Sequence, residues 1–212
     1  MKCIKKSDEP DFFSKWKTEH RDKTYVSFPS KMRKTLRRKL IREQGGICCY
    51  CEQSIILSNS HIEHFRPQDT YENLSLDYNN LLCSCQKEPD KETPLHCGHC
   101  KSNWFEEGLL VSPLDPSCEN RFHFTDDGRI LPAVPDDVAA AETIKRLALD
   151  IPALSSARKA VIEAIFGLDE PNTPLTREEL QQVIQAYLKK KPDKKFNPFW
   201  TTVKQLDPDD HQ

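Results

Sequence analysis

Ser60-His61-Ile62-Glu63-His64-Phe65-Arg66-Pro67 is the stretch that decides how this chain is read. Two histidines and a carboxylate stand close together, and a chain-stiffening proline closes the run. The segment reads as strand-like, ended by Pro67. On a strand, neighbouring side chains face opposite ways. Glu63 and His64 therefore share a site only through a bend or loop, or Glu63 acts through a different partner. A histidine held beside a carboxylate has the chemistry of a general base.

Working outward, cysteines flank the run at metal-ligand distances. Cys48-Cys49-Tyr50-Cys51 lies upstream, and Cys83-Ser84-Cys85 and Cys97-Gly98-His99-Cys100 lie downstream. Seven of the nine cysteines fall in this one segment, which points to metal binding, with one structural and one catalytic site. A Cys-x-x-Cys pair followed by further paired cysteines is a common way to build a closed tetrahedral zinc site. The tight turn between paired ligands brings both sulfurs to one side of the ion. Cys48 and Cys51 form the first pair. Disulfides are the competing reading. The opening Met1-Lys2-Cys3-Ile4-Lys5-Lys6 has no apolar signal core behind it, and no apolar stretch is long enough to span a membrane. A cytoplasmic address, which keeps thiols reduced, is expected.

These residues carry a family resemblance. Gly46-Ile47-Cys48-Cys49-Tyr50-Cys51-Glu52, the histidine run, Asp77-Tyr78-Asn79-Asn80-Leu81-Leu82, Ser84-Cys85 and His96-Cys97-Gly98-His99-Cys100-Lys101 together resemble an HNH endonuclease. More narrowly, they are similar to the nuclease subunit of Septu-type and retron-associated anti-phage systems. The match covers about residues 46–105, with a weaker one through Leu110-Val111-Ser112-Pro113-Leu114 and Phe124 to Ile130.

The resemblance implies a zinc-stabilised ββα-metal core, which with the short β-hairpin region and C-terminal helical bundle read from the residues below makes an α+β fold. It implies His64 as general base, Glu63 as metal ligand or orienting group, Asn80 as the loop-holding asparagine and His99 as a metal ligand. Asn103 follows His99 by four residues and would share its helix face, which makes it a further ligand. The catalytic ion would be magnesium or manganese, which suit an oxygen-rich, partly hydrated site. The family's second zinc pair would be Cys85 and Cys97. Cys83 and Cys100 depart from the pattern, and either would also serve, since Cys97-x-x-Cys100 is itself a zinc knuckle. Cys3, Cys49 and Cys118 read as free thiols. The implied partners are a nucleic-acid substrate, an SMC-like or ABC-like ATPase and, in retron settings, a reverse transcriptase with its RNA–DNA hybrid.

Composition is ordinary for a soluble protein, with 212 residues and a net charge of −2, but the charge is uneven. Residues 1–60 carry 14 Lys/Arg against 7 Asp/Glu, and the remainder carries 17 against 26. A basic N-terminal part suits a polyanionic substrate. Most of that charge lies in residues 30–42, where Met32, Leu36, Leu40 and Ile41 make one apolar stripe of an amphipathic helix ended at Gly45-Gly46. Arg33, Lys34, Arg37 and Arg38 there, with Arg66 and Lys101, are the candidate phosphate contacts. A merely solvated face is equally consistent with the pattern. No Gly-rich phosphate loop is present, which excludes P-loop nucleotide hydrolysis.

The boundaries read as 1–45 for a basic N-terminal segment, 46–132 for the metal core with flanking strands, and 133–212 for a helical region. Short strands are expected at Leu109-Leu110-Val111, Arg121 to Phe124 and Arg129 to Leu131, the last two joined by a turn at Asp126-Asp127-Gly128. His123 should face solvent. Asp136 or Asp137 caps one helix. Pro152 opens a second, with a stripe of Leu154, Ala157, Val161, Ile165 and Leu168 stopped by Gly167. Thr176 with Glu179 boxes a third, with Leu180, Val183, Ile184, Tyr187 and Leu188 inward. These helices suit a small bundle or a docking surface. The aromatics Phe196, Phe199 and Trp200, ahead of an acidic end, either pack back or anchor another subunit. A zinc-stabilised nucleic-acid-binding or scaffold subunit without catalysis remains the alternative function.

Overall fold

The histidine run forms strand β1 (Ser60–His64), antiparallel to β2 (Leu81–Cys85). The register sets His61 opposite Ser84, Glu63 opposite Leu82 and His64 opposite Leu81. A loop with two 3-10 turns, Glu72–Leu74 and Tyr78–Asn80, joins them. Helix α3 (Cys97–Lys101) then closes a ββα unit against β2. The computed structural model describes residues 1–89, 91–167 and 175–209.

Two helices precede this unit: α1 (Asp11–Glu19) and the basic α2 (Ser30–Glu43). Leu36, Leu40 and Ile41 of α2 are buried and Met32 packs beside them, as the stripe requires. Gln44 at the end of α2 then does what a third strand would do. Its amide donates to the Ile47 and Cys83 carbonyls at 2.9 Å and accepts from Cys83 N at 2.7 Å. Gly45 must be a glycine: φ is +66°, and an added Cβ would run into the Phe196 ring.

Beyond the ββα unit, β3 (Phe122–Phe124) and β4 (Ile130–Pro132) make a second hairpin, turned at Gly128. His123 is exposed on it. The strand expected at Leu109-Leu110-Val111 does not form. Val111 N donates instead to Thr143 Oγ1, which in turn donates to the Leu109 carbonyl, so a helix side chain takes the place of a ladder.

Among the described residues four helices follow: α4 (Val138–Arg146), α5 (Pro152–Phe166), α6 (Arg177–Leu188) and α7 (Trp200–Lys204). Asp137 caps α4, Gly167 ends α5 in the left-handed conformation, and Thr176 and Glu179 form the reciprocal capping box of α6. Val183 is exposed rather than inward, and α5 buries Arg158 and Ile162 along with Leu154 and Ile165. Leu168, named from the sequence, lies outside the described residues. The aromatic tail packs back: Phe196 N donates to the Gly45 carbonyl, Phe199 N to the Glu52 carbonyl, and Trp200 Nε1 to the Leu188 carbonyl. One core cluster takes in Met1, Phe13, Leu36, Cys48, Leu81, Phe122, Leu147 and Leu154, so it runs through all three stretches into which the sequence divides. A smaller cluster of Ile165, Ile184 and Val203 holds α5, α6 and α7 together.

Candidate functional site

Cys48 and Cys51 lie in the turn that follows Gly45-Gly46, Cys85 ends β2, and Cys97 opens α3. The four sulfurs lie within 4.8 Å of one another, and all four residues are buried. This is the one such group of three or more His, Cys, Asp or Glu among the described residues. Cys51 and Cys85 Sγ are 3.7 Å apart. Burial pushes the Cys48 thiol up, but hydrogen bonds from the neighbouring thiols outweigh this and hold it well below the usual range. Four soft, buried sulfur donors at one point fit a structural zinc.

His96 adds a feature that the spacing did not reveal. Its Nδ1 lies 3.1 Å from Cys97 Sγ and 3.7 Å from Cys85 Sγ, as expected of a ring that orients metal ligands. Cys83 and Cys100 stay out of the group. Cys83 is buried, with its thiol pushed up to about 12 by desolvation, and Cys100 is exposed.

The alternation of β1 divides the histidine run between two faces. On one side, His64 Nε2 lies 3.0 Å from the Ser75 carbonyl, and the ring stands edge-on to Tyr25 at 4.6 Å between centroids. A carbonyl only accepts, so Nε2 is the protonated nitrogen and Nδ1 keeps its lone pair. Burial holds the imidazole below its ordinary pKa, and so neutral. Asn80, also buried, ties the same loop. Its Nδ2 donates to the carbonyls of Arg66 (2.9 Å) and Leu74 (3.1 Å), and its Oδ1 accepts from Arg66 N at 2.7 Å. Asn80 thus ties Arg66, two residues beyond His64, to Leu74, the residue before its acceptor Ser75.

On the other side, Glu63 lies 3.0 Å from Lys101 Nζ, accepts from Tyr50 OH at 3.1 Å and lies 3.5 Å from His61 Nε2. Burial pushes this carboxyl up, but His61 and Lys101 outweigh it and hold it below the usual carboxylate range. His99 lies against His61 with the rings tilted at 56° and their centroids 4.7 Å apart, and it meets the Gln86 carbonyl through Nε2. Gly98 leaves room for this cluster. A Cβ there would meet Glu63 Oε2 and sit 2.7 Å from His61 Nε2.

Several expected placements change. Helix α3 stops at Lys101, so no helix face aligns His99 with Asn103; Asn103 donates instead to Asp69 Oδ2 at 2.7 Å. In this arrangement Asn103 is thus engaged by Asp69, Glu63 by Lys101, Tyr50 and His61, and His99 by the Gln86 carbonyl. Lys101, 2% exposed, is the counter-ion of Glu63 and does not reach the surface. Arg33 is used locally, donating to the carbonyls of Phe28, Tyr25 and Val26. Arg66 pairs with Glu107. Lys34 and Arg38 are exposed on α2, and Arg37 is half-buried. Spacing could have found His61: it stands two residues before Glu63, which on a strand means the same face.

The chain is thus a small α+β protein in which a cysteine cluster fit for zinc braces a ββα unit bearing a histidine strand. No family model matches it. It is 30% identical over 142 residues to a Vibrio cholerae serotype O1 biovar El Tor protein named "Retron Vc95 putative HNH endonuclease", covering 64% of this chain and 67% of that protein. It is 28% identical over 160 residues to an Escherichia coli protein named "Retron Ec83 putative HNH endonuclease", covering 62% of each. The chain belongs to this family of retron HNH endonucleases and spans about two thirds of the length of these relatives. Among the described residues, no helix is long and apolar enough to cross a membrane.

Proposed function

We propose that this chain is a metal-dependent HNH endonuclease that hydrolyses phosphodiester bonds of nucleic acid, acting as the toxic effector of a cytoplasmic anti-phage complex of retron or Septu type. The observation that carries the reading is His64: a neutral imidazole with one nitrogen committed to the Ser75 carbonyl and the other free to take a proton. Asn80 fixes the backbone on both sides of that bond. In the proposed step, His64 Nδ1 removes a proton from water as the water oxygen bonds to phosphorus. One P–O ester bond breaks, and its oxygen leaves with a proton from solvent.

On the opposite face, Lys101 and Tyr50 hold Glu63 ionised, and Glu63 positions His61 beside His99. Magnesium or manganese, when bound, would neutralise charge on the phosphoryl group. The cysteine cluster would hold a structural zinc through Cys48, Cys51, Cys85 and Cys97 and stiffen the turn and helix that frame β1. The exposed Lys34 and Arg38, with Arg37, are the proposed phosphate contacts on α2. DNA and RNA such as tRNA are both substrates this chemistry can cut. An SMC-like or ABC-like ATPase, with a reverse transcriptase and its RNA–DNA hybrid, would restrain the nuclease.

The test compares wild type with His64→Ala in bacteria carrying the chain and its genomic neighbours, after phage challenge. Total DNA and small RNA are run from the same cells. Loss of one species with wild type, and its survival with His64→Ala, is the expected result and names the substrate. If both species stay intact in both strains while the purified protein carries zinc, the chain is a zinc-stabilised binding module instead.

A further inference from the structure

Arg158 is the largest fully buried side chain among the described residues, at 2% exposure. Its hydrogen bonds go to uncharged acceptors: Nη1 donates to the Gly128 carbonyl at 3.1 Å and Nη2 to the Leu149 carbonyl at 2.8 Å. Among the described residues, no carboxylate lies within ion-pair distance of it. The two carboxylates that act on it through space are otherwise engaged. Glu52 binds Thr201 and lies 3.0 Å from the Met1 nitrogen, and Asp150 is paired with Arg129 at 2.6 Å. A buried guanidinium without a counter-charge costs several kcal/mol, so such a group calls for a negative neighbour.

The neighbour is the cysteine cluster. Arg158, Cys51 and Glu52 line the same small cavity of about 10 Å³, closed by Tyr50, Phe124 and Phe199, and the Glu52 charge there is taken up by the Met1 ammonium. The Phe124 and Phe199 rings lie 5.5 and 5.9 Å from the guanidinium and keep water away from it. A metal-free cluster offers less negative charge than a divalent ion on four thiolates, which carries about two negative charges. Arg158 belongs to α5, and its carbonyl partners belong to the β3–β4 turn and the α4–α5 connection. That turn lies directly on α5, where a Cβ at Gly128 would meet Ser155 O and sit 2.7 Å from Lys159 N.

We propose that Arg158 is the counter-cation of the metal-loaded cysteine cluster, and that the bound metal thereby latches α5 and the β3–β4 hairpin onto the ββα unit. This rests on the reading that Cys48, Cys51, Cys85 and Cys97 hold zinc. Arg158 is a positioning residue of that site: it touches neither substrate nor reacting atoms. Loss of metal and loss of α5 docking are then one event, because metal loss removes most of the negative charge beside the guanidinium.

The experiment uses the purified full chain and reads zinc affinity by competition with a chromophoric chelator. Arg158→Met should weaken zinc binding by about 10–100-fold, the usual effect of removing an outer-shell partner. Arg158→Lys, which keeps the charge and loses the fork, should recover part of that loss. In parallel, wild type is stripped of zinc and followed by amide hydrogen exchange. Protection of α5 should fall together with that of residues 48–51. Unchanged zinc affinity in Arg158→Met, or a lysine variant no better than the methionine one, overturns the counter-cation role. If Arg158→Met does not fold, the wild-type exchange decides: α5 protection that survives zinc removal overturns the latch. A wild-type chain that takes up no zinc overturns the metal reading itself, and the same titration tells that failure apart from failure of the latch.

Discussion

The cysteine cluster and the histidine strand occupy the same ββα unit, and they are built in opposite ways. The cluster draws ligands from a turn, a strand end and a helix start, and collects them at one buried point. The strand takes residues that are adjacent in sequence and sends them to two faces, His61 and Glu63 to one and His64 to the other. The first arrangement is closed and specified by four identical side chains. The second is organised by its surroundings: Ser75 holds His64, Asn80 holds the loop behind it, and Tyr50 and Lys101 hold Glu63. A structural site tolerates no loose ligand, whereas a hydrolytic site needs groups held apart so that a substrate can enter between them.

That contrast is open to direct attack. The largest effect should come from Cys51→Ser, which removes a ligand whose metal-binding free energy, about 10–16 kcal/mol in small zinc domains, is folding free energy. Loss of zinc together with loss of the cooperative unfolding transition by circular dichroism is expected; a variant that keeps a wild-type melt would show the cluster to be incidental. Next comes Lys101→Met, which removes the lysine counter-ion of the buried Glu63 and leaves it only Tyr50 and His61. Removing one partner of a buried pair costs about 3–5 kcal/mol, so a clear drop in the denaturant midpoint should appear with zinc content intact. Asn80→Ala strands the Arg66 amide and two carbonyls and should cost about 1–3 kcal/mol. It should also depress cleavage, because the Ser75 anchor of His64 loosens; an effect on stability with no effect on cleavage would separate Asn80 from the histidine.

The smallest effect is in pH. Burial lowers the pKa of His64, so its base form is present at neutral pH and is lost only on acidification below the ordinary imidazole range of about 6.5. The acid limb of the cleavage rate should fall below that value. A midpoint at or above it would place the base elsewhere.

Much of this was legible in the residues. Turn-paired cysteines announce a shared metal because their spacing is a local property, and the helix caps at Asp137, Thr176 and Gly167 work through backbone groups a few residues away. The basic stripe of α2 was equally plain, but which cations remain free was not, since Arg33 and Lys101 are consumed by contacts that only folding creates. Asn103 failed to join His99 because α3 ends after five residues, at a Ser102 with φ of +49° that no pattern in the sequence announces. Arg158 was invisible for another reason: a charged residue inside an apolar stripe reads as surface until a buried counter-charge is found for it.

Glu52 carries one more consequence, for the order of events during synthesis. It stands in the cysteine turn with φ of +62°, and both its carboxylate and its carbonyl are bonded by residues near position 200. A hydrogen bond spanning 149 residues is among the last a growing chain can make. The strands bearing His64 leave the ribosome long before Thr201 does. Final seating of the cysteine turn is therefore a late step of maturation, and a ribosome-bound nascent chain still lacks one support of its metal knuckle.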